Sequence, residues 1–283
     1  MGAWDAWIGR SETREDRVNP GLVARWCATL DRAMPDDGTA PQGLHWCLAV
    51  PEAPTAMLGP DGHPRRDQSP ESFLPPIPLP RRMWASSALR FHAALPIDAP
   101  IERTSRVAAI TEKQGGSGAL VFVDIAHETR HGETLLVSET QSVVYRAAAP
   151  AGSPPVPAPP GSQTFDAAAW TQVRTLDPAP PLLFRYSALT FNSHRIHYDL
   201  PYATAEEGYR GLVVHGPLTA SLLLDLARRH CGDNRLATFR FRGTSPAIAG
   251  EPLHLALRED AGALVLGAFA VDGRQVMDAV AQI

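Results

Sequence analysis

Runs of alternating apolar and polar residues occupy both halves of the chain and predict antiparallel β-structure in each. In the first half, three strand-like runs follow one another with glycine-containing turns between them, which predicts a meander. These runs cover residues 105–113, 119–129 and 133–146. Upstream, residues 20–32 carry apolar side chains at helical spacing, with Asn19 as a candidate N-cap and Pro20 at the first helical position.

The second half of the chain repeats this order. Residues 184–191 have a strand-like pattern, and residues 217–230 predict a helix with a leucine-rich body and basic residues in its last turn, followed by Gly232. Four more strand-like runs follow, at 236–242, 252–258, 263–271 and 275–283. A helix followed by an antiparallel sheet, twice over, predicts an α+β protein with two antiparallel sheets, each wrapped around a long helix.

Two proline-rich segments interrupt these patterns. Residues 147–161, AAAPAGSPPVPAPPG, cannot build a sheet ladder and predict a stiff interdomain linker. We therefore expect an N-terminal domain at 1–146 and a C-terminal domain at 162–283. The other segment, at 51–80, is predicted to be a long surface loop, with Asp61-Gly62-His63 forming a turn inside it.

Composition narrows the possible classes of protein. The chain has 283 residues, of which 44% are hydrophobic, and a formal net charge of -4, which argues against nucleic-acid binding. No apolar run approaches the ~20 residues that span a bilayer, and the first residues lack the basic and apolar regions of a signal peptide. The three cysteines are widely spaced and indicate no disulfide framework, so we expect a cytoplasmic protein without a membrane partner.

Candidate chemistry is concentrated in two neighbouring segments, TFNSHRIHYD at 190–199 and GLVVHGPL at 211–218. The first contains two imidazoles close together. The second ends in Gly-Pro at the start of the predicted helix, where a backbone N–H and the helix dipole can face a substrate oxygen. A proton-transfer group beside such an oxyanion site suits chemistry next to a carbonyl. The alternatives are solvated surface histidines or a zinc site formed by His194, His197, Asp199 and His215.

Together these two segments resemble the MaoC-like, R-specific enoyl-CoA hydratases and 3-hydroxyacyl-thioester dehydratases of the hot-dog fold. The similarity runs from about 184 to 229. In the first half, WIGR at 7–10, GPDGHP at 59–64 and RRMWA at 81–85 are similar to the degenerate N-terminal domain of double-hot-dog members. Those members include enzymes that act on mesaconyl- and itaconyl-type CoA esters. The resemblance implies a double hot-dog fold whose C-terminal domain carries the chemistry.

The resemblance also implies roles for individual residues. In the family an Asp and, five residues later, a His hold the water that adds to the β-carbon. Here His197 takes the His position, Asn192 takes the Asp position, and Arg195 replaces the usual Pro. An amide can orient water but cannot take its proton, so proton transfer falls mainly on His197, whose ordinary pKa near ~6.5 suits acid or base chemistry. The Gly216 N–H would bind the thioester carbonyl oxygen.

Other residues are supporting candidates. His194 or Asp199 could supply a second titratable group, and His215 in the second segment is a further supporting candidate. Arginines are expected to bind CoA phosphates or a substrate carboxylate through bidentate contacts. The candidates are Arg82, Arg185 and Arg195, with Arg81, Arg240 and Arg242 as further members.

The resulting hypothesis is a hydro-lyase that adds water reversibly to a short, branched dicarboxylic enoyl-CoA of the mesaconyl-C4-CoA or itaconyl-CoA type. One alternative is a dehydratase for fatty 3-hydroxyacyl thioesters, with a longer apolar pocket. Another is a non-catalytic protein that binds CoA esters, since Asn192 removes a carboxylate. A hot-dog thioesterase is a further alternative. We expect no metal and no cofactor besides the CoA thioester, and a homodimer, since sheet edges of hot-dog folds commonly pair.

Overall fold

Strands dominate the computed structural model, which describes residues 2–115, 118–147 and 164–283. The described strands are β1 (Ser11–Arg17), β2 (Thr39–Ala40), β3 (Arg81–Phe91), β4 (Leu95–Pro96), β5 (Pro100–Gly115), β6 (Gly118–His131), β7 (Thr134–Arg146), β8 (Gln172–Leu176), β9 (Thr238–Gly243), β10 (Leu253–Asp260), β11 (Ala263–Ala270) and β12 (Gln275–Gln282). The α-helices are α1 (Pro20–Thr29), α2 (Pro180–Leu189), α3 (Leu200–Ala205) and α4 (Gly216–Cys231). All of the predicted linker except its first residue lies outside the described residues.

A single antiparallel sheet of ten strands runs through both halves of the chain, in the order β1-β5-β6-β7-β3-β9-β12-β11-β10-β8. The first five strands come from the N-terminal half and the last five from the C-terminal half. The halves join where β3 pairs with β9, with Ser86 opposite Arg242. The two predicted sheets are therefore fused edge to edge. The short strands β2 and β4 form a separate pair.

The central helix of the C-terminal half is α4, which packs against β10, β11 and β12. Its ten residues from Leu218 to Ala227 are all buried. Pro217 presets the first turn and Gly232 ends the helix, as the sequence predicts. The α4 leucines belong to one core cluster that also contains Trp26 of α1 and Tyr186 of α2, so the two halves share a core.

The N-terminal half departs from the prediction of a long helix under each sheet. Among its described residues the α-helix is α1, which has ten residues and packs against α2. The other buried helical segment there is a short 3-10 helix at Leu44–Cys47. The predicted duplication therefore holds for the strands, and the long central helix is found in the C-terminal half.

The predicted strand at 184–191 is wrong, because this segment lies in α2 and the loop after it. Leu183, Tyr186 and Leu189 are buried at a spacing of three residues, whereas Phe184 and Arg185 between them are exposed. That period belongs to a helix, and prolines at the first two positions favour its start. The predicted strands after α4 are all present as β9 to β12, and the first-half meander is present as β5, β6 and β7.

The predicted surface loop at 51–80 is more deeply embedded than its composition suggests. Ile77 is 2% exposed and packs in a second core cluster under β5, β6 and β7. Gly62 has a φ of 87°, and a Cβ there would lie 2.0 Å from the backbone oxygen of Ser193 in the other half. Only glycine fits such a close approach at a positive φ. None of the described helices is long and apolar enough to cross a membrane.

Candidate active site

The segment 190–199 forms a tight loop between α2 and α3. Phe191 turns the chain with a φ of 48°, and the Asn192 side-chain oxygen accepts a hydrogen bond from the His194 N–H at 2.9 Å. A 3-10 turn follows at Arg195–His197. Asp199 then caps α3 by accepting a hydrogen bond from the Tyr202 N–H at 3.1 Å. These local bonds fix the backbone that carries the two histidines.

His197 is buried, with 7% of its surface exposed, and its tautomer is set by the neighbouring segment. Its Nδ1–H donates to the carbonyl oxygen of Val213 at 2.7 Å, which leaves Nε2 with the free lone pair. Burial lowers the pKa of His197 to about 3. The resting imidazole is therefore neutral at physiological pH, whereas its ordinary pKa suggested that it could start in either form.

His215 lies directly against His197. The two rings are stacked with centroids 3.5 Å apart and planes 19° from parallel. His215 Nε2 is 2.9 Å from the Ser187 hydroxyl of α2, and burial lowers the pKa of His215 well below its usual range. A neutral ring held in this way fixes the plane of the His197 ring, so we expect His215 to act as a positioning residue.

His194 connects His197 to the N-terminal half. Its ring meets the His197 ring edge-on at 5.4 Å and lies 4.0 Å from the ring of His63. Burial, followed by the neighbouring His63, lowers the pKa of His194 to about 3. His63 in turn bonds through Nδ1 to the Asp61 carboxylate at 3.0 Å. Sequence reasoning treated Asp61 and His63 as a turn only, although the GPDGHP motif could have marked them.

Gly216 opens α4 directly after His215. The first N–H groups of a helix have no partner inside the helix, so they can face a ligand. A Cβ at Gly216 would meet no atom within 4 Å, and its φ is not in the left-handed region. Neither packing nor backbone conformation therefore requires glycine here. The space beside the Gly216 Cα is open, and the predicted binding of a carbonyl oxygen by its N–H remains a prediction.

Asp199 and Arg195 are bonded to each other. Arg195 donates to Asp199 Oδ2 from Nε at 2.9 Å and from Nη2 at 2.7 Å, and this hydrogen bonding lowers the pKa of Asp199. Arg195 also donates to the Pro60 carbonyl and lies over the Tyr202 ring. These contacts hold both residues within the loop. The sequence suggested Asp199 as a second titratable group and Arg195 as a ligand for CoA phosphates or a substrate carboxylate, and each side chain is instead bonded to the other.

The two other arginine candidates differ in their surroundings. Arg185 is exposed on the outer face of α2. Arg82, at the start of β3, lines a cleft of about 430 Å³ between the 51–80 segment and α3. Asp61 and His63 line the same cleft, whereas His197 and Gly216 are not part of its wall. Of the three candidates, Arg82 is the one placed to meet an anionic group beside the histidines.

One alternative interpretation of the sequence is a metal site with His194, His197, Asp199 and His215 as its ligands. In the described part of the chain the residues with metal-ligand spacing are Asp61, His63 and His194, whose ligand atoms lie within 4.8 Å of one another. Asp199 is held by Arg195 instead. The four-residue set proposed from the sequence is therefore not assembled.

Comparison with known proteins identifies the family of the chain. Residues 43–249 match the family model of hydroxyacyl-thioester dehydratase type 2. The chain is 43% identical to mesaconyl-C(4)-CoA hydratase of Chloroflexus aurantiacus, over 99% of this chain and 98% of the relative.

Solved structures show the same fold. A MaoC-like dehydratase from Phytophthora capsici superposes with a TM-score of 0.71 at 15% identity, covering 100% of this chain and 98% of the other. A Mycobacterium tuberculosis protein described as a double hotdog superposes with a TM-score of 0.56 at 18% identity, covering 97% and 95%. The predicted α+β double hot-dog is confirmed. The chain belongs to the hydroxyacyl-thioester dehydratase type 2 family.

Proposed function

We propose that this protein is a hydratase that adds water reversibly across the α,β double bond of a short, branched dicarboxylic enoyl-CoA of the mesaconyl-C4-CoA type. The observation that carries the proposal is a neutral His197, with Nε2 free, close to the open start of α4 at Gly216. The 43% identity to a mesaconyl-C(4)-CoA hydratase supports the choice of substrate.

The reaction follows from the placement of these groups. The thioester carbonyl oxygen accepts a hydrogen bond from the Gly216 N–H, which stabilises the negative charge that forms on this oxygen as water attacks Cβ. His197 Nε2 takes a proton from the water while the water oxygen bonds to Cβ. The Asn192 amide orients that water, and Cα then receives a proton to give the 3-hydroxyacyl thioester. Because no redox step occurs, the reaction needs no cofactor besides the CoA ester.

The buried contacts of His197 hold its ring in the orientation that presents Nε2 to the water. Val213 fixes the tautomer, and His215 covers one face of the ring. A base held in one orientation contributes more to the rate than a freely rotating one, because its approach to the water costs less entropy.

The test is the loss of enoyl absorbance when purified protein is mixed with mesaconyl-C4-CoA, itaconyl-CoA, crotonyl-CoA and longer enoyl-CoA esters. Hydration of the dicarboxylic esters, abolished in His197→Ala, is the expected result. Full turnover by His197→Ala would refute the assignment of the base. Binding without any turnover would favour a non-catalytic CoA-ester-binding protein, and release of free thiol would favour a thioesterase.

A second candidate is a dehydratase for fatty 3-hydroxyacyl thioesters, which the matched family model favours by its description. The same ester panel separates it from the first proposal. Activity that rises with the length of an unbranched acyl chain would favour the dehydratase, and preference for a short acyl group with a free carboxylate would favour the hydratase.

We also propose a cytoplasmic homodimer. The three widely spaced cysteines, which indicate no disulfide framework, support the location. The outer strands of the ten-stranded sheet, β1 and β8, leave edges that can pair with a second copy. Light scattering of the purified protein measures the mass directly, and a monomer of 30.5 kDa would refute the dimer.

A further inference from the structure

Water addition moves two protons, yet the C-terminal half offers one well-placed base. The water loses a proton and Cα gains one. Asn192 cannot exchange a proton, and its side-chain oxygen is bonded to the His194 N–H. Asp199 is paired with Arg195, and His215 is buried against Ser187. Burial lowers the pKa of His194, the other titratable side chain of the loop, to about 3, so this ring is neutral at physiological pH and holds no imidazolium proton to donate. The second proton-transfer role is therefore unfilled by the loop and α4.

The N-terminal half supplies an Asp–His pair, Asp61 and His63, that could fill this second proton-transfer role. The Asp61 carboxylate accepts two hydrogen bonds from His63, one from Nδ1–H at 3.0 Å and one from the backbone N–H at 3.1 Å. His63 Nε2 is then the nitrogen left to exchange protons, as in other carboxylate-oriented imidazoles. The His63 ring lies on His194, so a single ring separates it from His197.

The turn that carries this pair is anchored to the catalytic loop. The Ser193 hydroxyl donates to the Gly62 carbonyl oxygen at 2.6 Å, and the Arg195 N–H donates to the Asp61 carbonyl oxygen at 2.9 Å. Since a Cβ at Gly62 would overlap the backbone of Ser193, the approach is as close as the chain permits. The pair is therefore held in a fixed position rather than on a free loop.

We propose that His63, oriented by Asp61, is the second acid–base residue of the active site and donates the proton that Cα receives. This inference rests on the proposed hydratase function. The water O–H bond breaks as its proton moves to His197, and the water oxygen bonds to Cβ. The electron pair of the double bond shifts through Cα toward the carbonyl oxygen and then takes the Nε2 proton of His63. The proton held by His197 returns to His63 through solvent, so one water is consumed in each turnover.

Charges around His63 support this role. Burial raises the pKa of Asp61, but the hydrogen bond and charge of His63 outweigh it and lower that pKa to about 2, so the carboxylate is ionised at neutral pH. The ionised carboxylate accepts both hydrogen bonds from His63 and so holds the imidazole ring in one orientation. The other titratable or charged groups near the pair come from every neighbouring element: His194, Arg195, Arg65, Arg66, Arg82, Tyr202, Glu206 and Glu207.

The test compares kcat, KM and pH–rate profiles of His63→Gln and Asp61→Asn with the wild type in the hydration assay. For His63→Gln we expect kcat to fall by a factor of about 10²–10⁴ with KM changed only a few-fold, and the high-pH limb of the profile to disappear. Asp61→Asn removes the ionised acceptor that orients the His63 ring, so kcat should fall in this variant too, with KM little changed. Added imidazole should restore part of the rate of His63→Ala.

Two control variants separate chemistry from packing. His92→Gln makes the same substitution at an exposed histidine that bonds Ser138, and it should leave rate and profile unchanged. Ser193→Ala removes an anchoring bond of the turn, and it should lower the rate without moving either limb.

The outcomes separate the inference from the function on which it rests. A wild type that hydrates no enoyl ester would overturn both. An active wild type whose His63→Gln variant keeps its rate and both limbs overturns the inference alone. Loss of activity on dialysis against a chelator, with recovery on adding Zn²⁺, would make Asp61, His63 and His194 metal ligands and would also overturn it.

Discussion

Gly216→Ala is the substitution that most sharply tests the thioester site, because the structure separates its effect on folding from its effect on binding. Gly216 is the first residue of α4, its φ is not left-handed, and a Cβ there would meet no protein atom within 4 Å. The folded protein therefore has room for the added methyl group. The added methyl group would, however, stand beside the Gly216 N–H, which is the proposed donor to the substrate carbonyl.

Gly216→Ala is expected to affect stability and activity in opposite directions. Replacing glycine by alanine at a compatible position reduces the entropy of the unfolded chain and stabilises a protein by about 0.4–1 kcal/mol. Thermal stability should therefore be unchanged or rise by roughly 2 °C. If the methyl group keeps the carbonyl oxygen from the Gly216 N–H, kcat/KM should fall by about 10²–10³, as when one oxyanion donor is removed.

The assay combines thermal unfolding with kcat/KM for hydration of mesaconyl-C4-CoA. Gly243→Ala is a matched control, since Gly243 also lacks a positive φ and the nearest atom to its Cβ position is the Ala85 oxygen at 3.8 Å, an ordinary contact. We expect that control to retain the wild-type rate. A Gly216→Ala variant that is stable and fully active would refute the assignment of the Gly216 N–H to the thioester oxygen. A loss of stability would refute the statement that the site is open.

Further predictions follow from the buried histidines and from the junction of the halves. Because His197 must be neutral and its pKa is about 3, kcat/KM should show no acid limb near pH ~6.5, and a limb there would contradict its burial. His194, His197 and His215 bind protons only in the unfolded chain between their lowered folded pKa values and about 6.5, so stability should fall as pH drops below about 6.5. These three groups contribute a slope of about 4.1 kcal/mol per pH unit at most, measured by urea unfolding, and His197→Asn should remove about a third of that contribution. Ser187→Ala should lower kcat several-fold with little change in KM, because it frees the ring that supports His197; an unchanged kcat would count against that support. Gly62→Ala should destabilise the protein by several kcal/mol in urea unfolding, because its Cβ would overlap Ser193, and a wild-type midpoint would contradict the close packing.

The sequence predicted those elements whose signals are local. The C-terminal strands and β5 to β7 are bounded by turn residues, and α4 has proline at its start and glycine at its end. The helix α2 was mistaken for a strand because a short apolar run does not distinguish the two periods. Strand β1, SETREDR, was missed because an exposed strand at the sheet edge needs no apolar alternation.

Part of the site could also be predicted, because some of its residues carry local sequence signals. His197, His194 and Gly216 lie in two motifs close together in sequence, and the structure brings their segments together through Val213. The neutral resting state of His197 could not be predicted, since it depends on burial under residues from several elements. His63 could not be placed either, because its contact with His194 joins the two halves, and no local pattern encodes such a pairing.

The difference between the two halves explains why they contribute unequally to the site. An oxyanion site of the proposed kind needs the start of a long helix under the sheet, whereas the described N-terminal half has the short α1 and a buried 3-10 turn at Leu44–Cys47. Trp46 of this turn and Ser87 donate hydrogen bonds to the buried Glu139. What this half can still supply is side chains from its 51–80 segment, which reaches the catalytic loop. From this division we expect one site per chain, built mainly by the C-terminal half, with Asp61 and His63 as its proposed contribution from the N-terminal half.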